Sequence, residues 1–287
     1  MSDVSVRFLA PAPALRDAII FYYVVRIGGD QPIEDLLHPE GAHVRLLLCG
    51  DWRITFADGG ASDAPSPGAV LTGALSRAAT VRGTAPGVMV SVGLMPPGWG
   101  VLTDRSAADV RDALLPLSDF VGETADDLLQ ALLPLDDDDA YAAALDAWFL
   151  RRRASRPPTD PLVAAADVGL QDEAVSTVAQ WAQRVGCSTR QLERLVRDYV
   201  GIAPKRLLRR QRFLRSSQSL RGQPLGGWGR AIDESYADQP QFVREFKYFM
   251  GMSPRAYFAR QSPFMTAGAQ GRKTQPSAAG QDREAAE

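Results

Sequence analysis

Two stretches near the end of the chain share one outline, and few folds accommodate such a pair. GCSTRQLERLVRDYVG runs from Gly186 to Gly201, and SYADQPQFVREFKYFMG from Ser235 to Gly251. Each reads as a turn, an amphipathic helix and a closing glycine. The apolar residues keep one register: Leu192, Val196 and Tyr199 in the first, Phe242, Phe246 and Phe249 in the second. The outward basic residues also correspond, Arg194 with Arg244 and Arg197 with Lys247. At about 3.6 residues per turn, Leu192, Leu195, Val196 and Tyr199 share one face of the first helix, and Arg190, Glu193, Arg194 and Arg197 share the opposite one. A duplicated helix with one apolar and one basic face fits two helix-turn-helix units made to enter two DNA grooves.

The flanking segments support that reading. STVAQWAQRV (176–185) offers Val178, Trp181, Ala182 and Val185 to the apolar side, and the small Ala182 lets two helices approach closely. Gly186 supplies the turn, and Ser188 or Thr189 can cap the next helix. In the second unit WGRAIDES (228–235) places Ala231 where the first has Ala182; Asp238 can cap, and Pro240 suits a first helical turn. Ala182 and Ala231 are 49 residues apart, Arg194 and Arg244 are 50 apart, so the second turn holds one extra residue. Between the units, Pro204 opens a helix to about Leu220, with Leu207, Leu208, Phe213 and Leu220 as packing residues. A helix of that length fixes the spacing of the two readers.

Charge separates the chain the same way. The net charge of −2 conceals 13 Lys/Arg against 23 Asp/Glu in residues 1–170, and 16 against 8 in residues 171–261. An acidic half is joined to a basic half, and the basic half suits a polyanion.

The acidic half reads as β-rich. FYYVVRI (21–27), VRLLLCG (44–50), WRITFA (52–57) and VMVSVGL (88–94) are separated by Gly, Pro and Asp clusters, the spacing of a sandwich or barrel. Two helices follow. One covers about Leu117 to Leu133 and ends at Pro134. The other begins in DDDD (136–139) and finishes in RRR (151–153), which complements the helix dipole. This pair is either a lid on the β core or a dimerisation hairpin. The fold class expected is therefore α+β and multidomain. Residues 1–153 form a sensor or dimerisation domain, 154–170 a linker, 171–260 the basic DNA-binding domain, and 261–287 a disordered tail of small polar residues.

The basic region resembles the DNA-binding domain of the AraC/XylS family of bacterial transcription regulators. The resemblance rests on VAQWAQRVGCSTRQLERLVRDYVGIAPKRLLRRQRF and ADQPQFVREFKYFMGMSPRAYF, in order and at the right spacing, over about 90 residues from Val175 to Arg260. The β-rich part resembles, more loosely, the cupin-like half-barrel sensors of such regulators. Two departures stand in the second unit: Ser235 where the family has Gly, and Arg230 beside Ala231.

For the first unit Arg190, Glu193 and Arg194 are the candidates for base edges, the positions the resemblance also selects, with Thr189, Gln191 and Arg197 beside them. For the second they are Gln239, Gln241 and Arg244, with Lys247 toward phosphate. Arginine can bond guanine in bidentate fashion, and glutamine adenine, although phosphate contacts are the commoner class. The implied partner is double-stranded DNA. RNA polymerase, a small-molecule effector of unknown identity and a second copy of the chain in a homodimer are further candidates.

Other chemistry finds little support. Two cysteines, Cys49 and Cys187, exclude a disulfide framework. His38, Glu40 and His43 could bind a metal, but no third strong ligand accompanies the histidines, so no metal or cofactor is expected. No nucleophile elbow or phosphate loop is present, and no enzymatic activity is expected. Trp52, Trp99, Tyr22 and Tyr23 line either a ligand pocket or the β core. The start of the chain lacks a signal-peptide pattern, and no apolar run approaches the roughly 20 residues of a membrane helix, so a soluble cytoplasmic protein is expected. The alternatives to an effector-controlled regulator are a cupin-like enzyme fused to a DNA-binding domain and an adaptor whose N-terminal half binds protein.

Overall fold

The computed structural model describes residues 3–219 and 239–260, with Ser262, Phe264 and Ala267. The β-rich half contains β1 (Asp3–Leu9), β2 (Ile19–Gly28), β3 (Ile33–Leu37), β4 (His43–Cys49), β5 (Trp52–Thr55), β6 (Ala61–Ala64), β7 (Gly68–Thr72), β8 (Ala79–Gly83), β9 (Gly87–Leu94) and β10 (Leu114–Pro116). They form two antiparallel sheets, β1-β2-β9-β4-β7-β10 and β3-β8-β5-β6. All four runs read as strands from the sequence are strands.

The larger sheet is covered on both faces, so its strands are apolar on both sides. Along β2, Val25 and Ile27 pack toward the smaller sheet with Leu47, Trp52, Val81 and Met89. Tyr22 and Val24 point the other way, into a core with Val44, Leu46, Val90 and Val92. Ile19 joins that second core because the β2–β9 register shifts between Ile19 and Phe21, leaving Ile20 exposed.

Helices close the outer face: α1 (Pro96–Leu102), α2 (Ser118–Val121), α3 (Thr124–Leu132) and α4 (Asp138–Ala154). Leu128, Leu132, Leu145 and Phe149 pack with the sheet residues just named. The single helix expected over 117–133 is divided, because Gly122 takes a positive φ of 65° between α2 and α3. For α4, the Asp137 side chain accepts from Ala140 N at 2.9 Å, Asp138 and Asp139 fill the first turn, and Arg151, Arg152 and Arg153 fill the last.

The helical half comprises α5 (Pro161–Gln171), α6 (Val178–Val185), α7 (Thr189–Val200), α8 (Pro204–Ser219), α9 (Gln239–Met250) and α10 (Pro254–Ala259). Most of the segment read as linker, 154–170, is thus α5. Asp160 caps it, accepting from Leu162 N, and Pro161 occupies its first position. The non-helical connection is short, residues 155–160. The helix expected over 228–235, the turn at Ser235 and the cap at Asp238 lie outside the described residues. Of the tail, Ser262 and Phe264 are fixed: the Ser262 hydroxyl donates to the buried Asp35 carboxylate at 2.6 Å, and Phe264 N donates to it at 2.9 Å.

The two halves are docked. A 3₁₀ turn at Ala107–Val110 abuts α7: the Ser106 hydroxyl lies 3.2 Å from Asp198 Oδ1. Ala78 N donates to Phe249 O at 2.7 Å, Arg210 Nη1 donates to Glu40 O at 3.1 Å, and His38 Nε2 lies 2.7 Å from the Tyr257 hydroxyl. Leu36 and Ala78 enter one apolar cluster with Phe213, Phe242, Phe246 and Phe249.

Candidate nucleic-acid interface

The first reader is set by its caps. Thr177 opens α6 with a capping box to Gln180, and Ser188 opens α7 with a capping box to Gln191. Between them Gly186 has φ 77°, and Cys187 N donates to Ala182 O at 3.0 Å, closing α6 and turning the chain. Trp181 is the centre of the packing. It is 1% exposed, its indole N–H donates to Ala166 O on α5 at 2.9 Å, and Leu192 and Val196 of α7 share its cluster. Gly169 makes this fit possible, since a Cβ there would lie 2.9 Å from the Trp181 ring.

With that face buried, α7 presents Thr189, Arg190, Gln191, Glu193, Arg194 and Arg197 to solvent, all exposed. Arg190 and Arg194 are four residues apart on one stripe and make no ion pair among the described residues. Two members are engaged. Gln191 Oε1 accepts from Ser188 N at 3.0 Å and from its hydroxyl at 2.8 Å, leaving its amide donors for a ligand. Arg197 Nε donates to Asp198 Oδ1 at 3.1 Å.

On α9, Phe242, Phe246, Phe249 and Met250 are buried, while Arg244 and Lys247 are exposed. Gln241 is half-buried and Gln239 lies in the first turn of α9. The structure therefore brings Arg190, Glu193, Arg194 and Arg197 onto one exposed stripe, with Thr189 and Gln191 exposed at its two sides, and Arg244 and Lys247 onto another. Gly251, at φ 72°, ends the helix with its N–H on Lys247 O.

Sequence reasoning passed over Glu245. It is 6% exposed on the buried side of α9, and its Oε1 accepts from Arg209 Nε at 3.0 Å and Arg212 Nη2 at 2.9 Å, both on α8. This bridge ties the second reader to the connecting helix. The available signal was an acid standing in the apolar register between Phe242 and Phe249.

The neighbouring Arg210 points inward. It is buried against the Glu40 carbonyl and faces Asp167 of α5; burial lowers its pKa to about 10. Burial likewise raises the Asp167 carboxyl to about 6, against the pull of Arg210. A carboxyl raised in the folded state contributes stability that is complete below its ordinary value of 3.8 and lost as pH rises through about 6. Asp167→Asn should therefore gain on the parent, by on the order of 2 kcal/mol, between pH 4.5 and pH 7. Urea unfolding of both proteins at the two pH values measures this, and parallel pH dependences would contradict it.

The histidine pair does not form a metal set. His38 faces Tyr257; His43 Nδ1 lies 3.1 Å from Gly41 O, and burial lowers its pKa; Glu40 accepts from Arg45 Nη2 at 2.6 Å. Burial pushes the Glu40 carboxyl up, but His43 and Arg45 outweigh it and hold it below its ordinary range. Among the described residues no group of three His, Cys, Asp or Glu could hold a metal ion. Trp99 and Tyr22 are core residues, hydrogen-bonded to Arg105 O and Asp146 Oδ1. Trp52 lines a small cavity between the sheets, about 20 Å³, together with Arg45, Thr72, Leu47, Val70 and Met89. Arg45 Nη1 and Thr72 Oγ1 are buried there without hydrogen-bond partners. Among the described residues no helix is long and apolar enough to cross a membrane.

A family model described as a helix-turn-helix domain matches residues 181–260. No curated protein matches the chain. Among solved structures, it is similar to ToxT from Vibrio cholerae bound to an unsaturated fatty acid, at 12% identity over 92% of this chain and 95% of that one, with a TM-score of 0.44. ToxT from the same organism bound to (E)-4-(8-methylnaphthalen-1-yl)but-3-enoic acid aligns at 11% identity over 90% of this chain and 98% of that one, with a TM-score of 0.45. A cupin superfamily protein from Desulfitobacterium hafniense aligns at 16% identity over 32% of this chain and 77% of that one, with a TM-score of 0.25.

Proposed function

We propose that this chain, whose residues 181–260 are a helix-turn-helix domain of the AraC type, is a sequence-specific DNA-binding transcription regulator controlled through its β-rich half. The observation that carries the reading is the stripe on α7. Arg190, Glu193 and Arg194 project from a helix capped at its start and packed on its opposite face, so their positions are fixed before DNA arrives. A recognition helix lies in the major groove with its N-terminal residues toward the bases. Arg190 and Arg194 then suit guanine, and Glu193 suits the cytosine amino group. Thr189 and Gln191 stand at the same end. Arg197, farther along α7 and turned toward Asp198, suits the sugar-phosphate backbone.

On α9, Gln239, Gln241 and Arg244 are the base-edge candidates and Lys247 the phosphate contact. Lys247→Ala should weaken binding to all sequences alike and reduce the slope of log K against log salt by about one. An unaltered slope removes the assignment.

For control, an effector held by the β-rich half is the proposed partner. The cavity beside Arg45 and Thr72, at about 20 Å³, has room for a single water-sized group, so a metabolite binds there only if the two sheets part. Thermal-shift screening of the full chain with metabolites tests this half of the proposal.

Sequencing of duplexes selected from a random library by the full chain tests the regulator reading directly. Two enriched elements about one helical turn apart, 10–10.5 bp, are expected from two linked readers. Recovery of DNA with no enriched sequence overturns it.

A further inference from the structure

The β-rich half reaches the DNA-facing side of α7. The groove beside the recognition helix is lined by Arg190, Glu193, Arg194 and Arg197, by Pro204 at the start of α8, and by Arg111, which belongs to the β-rich half. From the geometry of this groove we infer that Arg111 is a DNA phosphate contact, so that the sensor half supplies part of the nucleic-acid interface. The inference rests on the reading of α7 as a recognition helix.

Three observations carry it. The first is that the backbone holding Arg111 is fixed. It follows the 3₁₀ turn Ala107–Val110, which the Ser106 side chain caps through Ala108 N. The next residue, Asp112, has φ 54° and binds Ser76 N and the Ser76 hydroxyl, each at 2.7 Å. The second is that the turn is seated on α7 at close range. A Cβ at Gly201 would lie 2.4 Å from Ala107 O, so only the glycine that ends α7 permits the contact. Ser106 adds its link to Asp198. The third is charge. Four guanidinium groups and one carboxylate line the groove, although the half that contributes Arg111 is acidic overall, with 13 Lys/Arg against 23 Asp/Glu in residues 1–170. The Arg111 side chain is 43% exposed, and its Nε lies a loose 3.6 Å from Asp112 Oδ2.

A polyanion is the occupant that this charge pattern fits. A helix seated in the major groove has a phosphate strand along each side, and residues flanking it make the phosphate contacts that set its register. Arg111 stands beside α7 in that position. The docked arrangement of the two halves is then one that binds DNA, and the sensor half adds affinity without reading sequence.

The test uses the full chain and a duplex recovered from a random library by that chain. Binding is measured over a salt series for the parent, Arg111→Ala, Arg111→Glu and, as a sensor control, Arg82→Ala, an exposed arginine on β8 of the smaller sheet. Arg111→Ala should weaken binding about threefold to tenfold and lower the salt slope by about one; Arg111→Glu should weaken it further; Arg82→Ala should change neither. Unchanged or tighter binding by both Arg111 variants overturns the inference, and tighter binding identifies the turn as an obstruction to DNA instead. Arg194→Ala separates the two levels. If it weakens binding while Arg111→Ala does not, the sensor contact alone fails; if neither has an effect, the reading of α7 fails with it.

Discussion

Replacing both Arg190 and Arg194 with alanine should abolish specific binding while leaving the fold intact. Each bidentate arginine–guanine pair contributes about 1–3 kcal/mol of discrimination. The double substitution then removes roughly 2–6 kcal/mol, about 30-fold to 10⁴-fold in affinity; the two sites share one stripe, so the sum need not be additive. Both side chains are exposed and face solvent, so stability should move by no more than about 0.5 kcal/mol. Removing two like charges four apart on one helix even favours the folded state slightly. Fluorescence anisotropy with a selected duplex, at one fixed salt concentration, reads the effect. Affinity within threefold of the parent eliminates α7 as the base reader.

Trp181→Ala should act through folding instead. The ring is 1% exposed at the meeting of α5, α6 and α7. Truncating a buried tryptophan costs about 3–5 kcal/mol through lost transfer energy and the cavity left behind. The Ala166 carbonyl also loses its indole donor, which adds to the cost if water does not replace it. The expected result is a free energy of unfolding, read from urea titration, lowered by that amount, and loss of DNA binding at temperatures where the parent binds. A loss below about 1 kcal/mol would show that α5 does not hold the reader together.

The first reader was the most legible part of the sequence, because its determinants are local. Ser188 and Gln191, Thr177 and Gln180, Gly186 and Gly201 are caps and turns written within a few residues of the helices they bound. The strands were legible as runs but not as an order. The pairing of β2 with β9, and of β4 with both β7 and β9, joins residues far apart in the chain. Helix α5 was missed because it follows the Pro-Pro pair and carries Gly169, both signals of a loop. What makes it helical is the Asp160 cap and the burial of Val163, Ala166 and Leu170, the last two in the cluster around Trp181. Glu245 and Arg210 were invisible for a related reason. A charge at an apolar position acquires meaning only when its partner, on another helix or in the other half, is known. The exposed base-reading candidates were legible as positions on a helix face. Their neighbour Arg111 was not, since nothing in its local sequence marks it as facing α7.

The shortness of the connection between the halves sets how firmly they need to adhere. Residues 155–160 are six, two of them consecutive prolines, and an extended stretch of that length spans about 20 Å at most. If the halves part, the reader stays tethered within that radius, at an effective local concentration on the order of millimolar. The contacts that join the halves, from the Ser106–Asp198 link and the Gly201 seat to the apolar cluster of Leu36 and Ala78 with Phe249, then hold the docked state without needing the strength that two separate molecules would require.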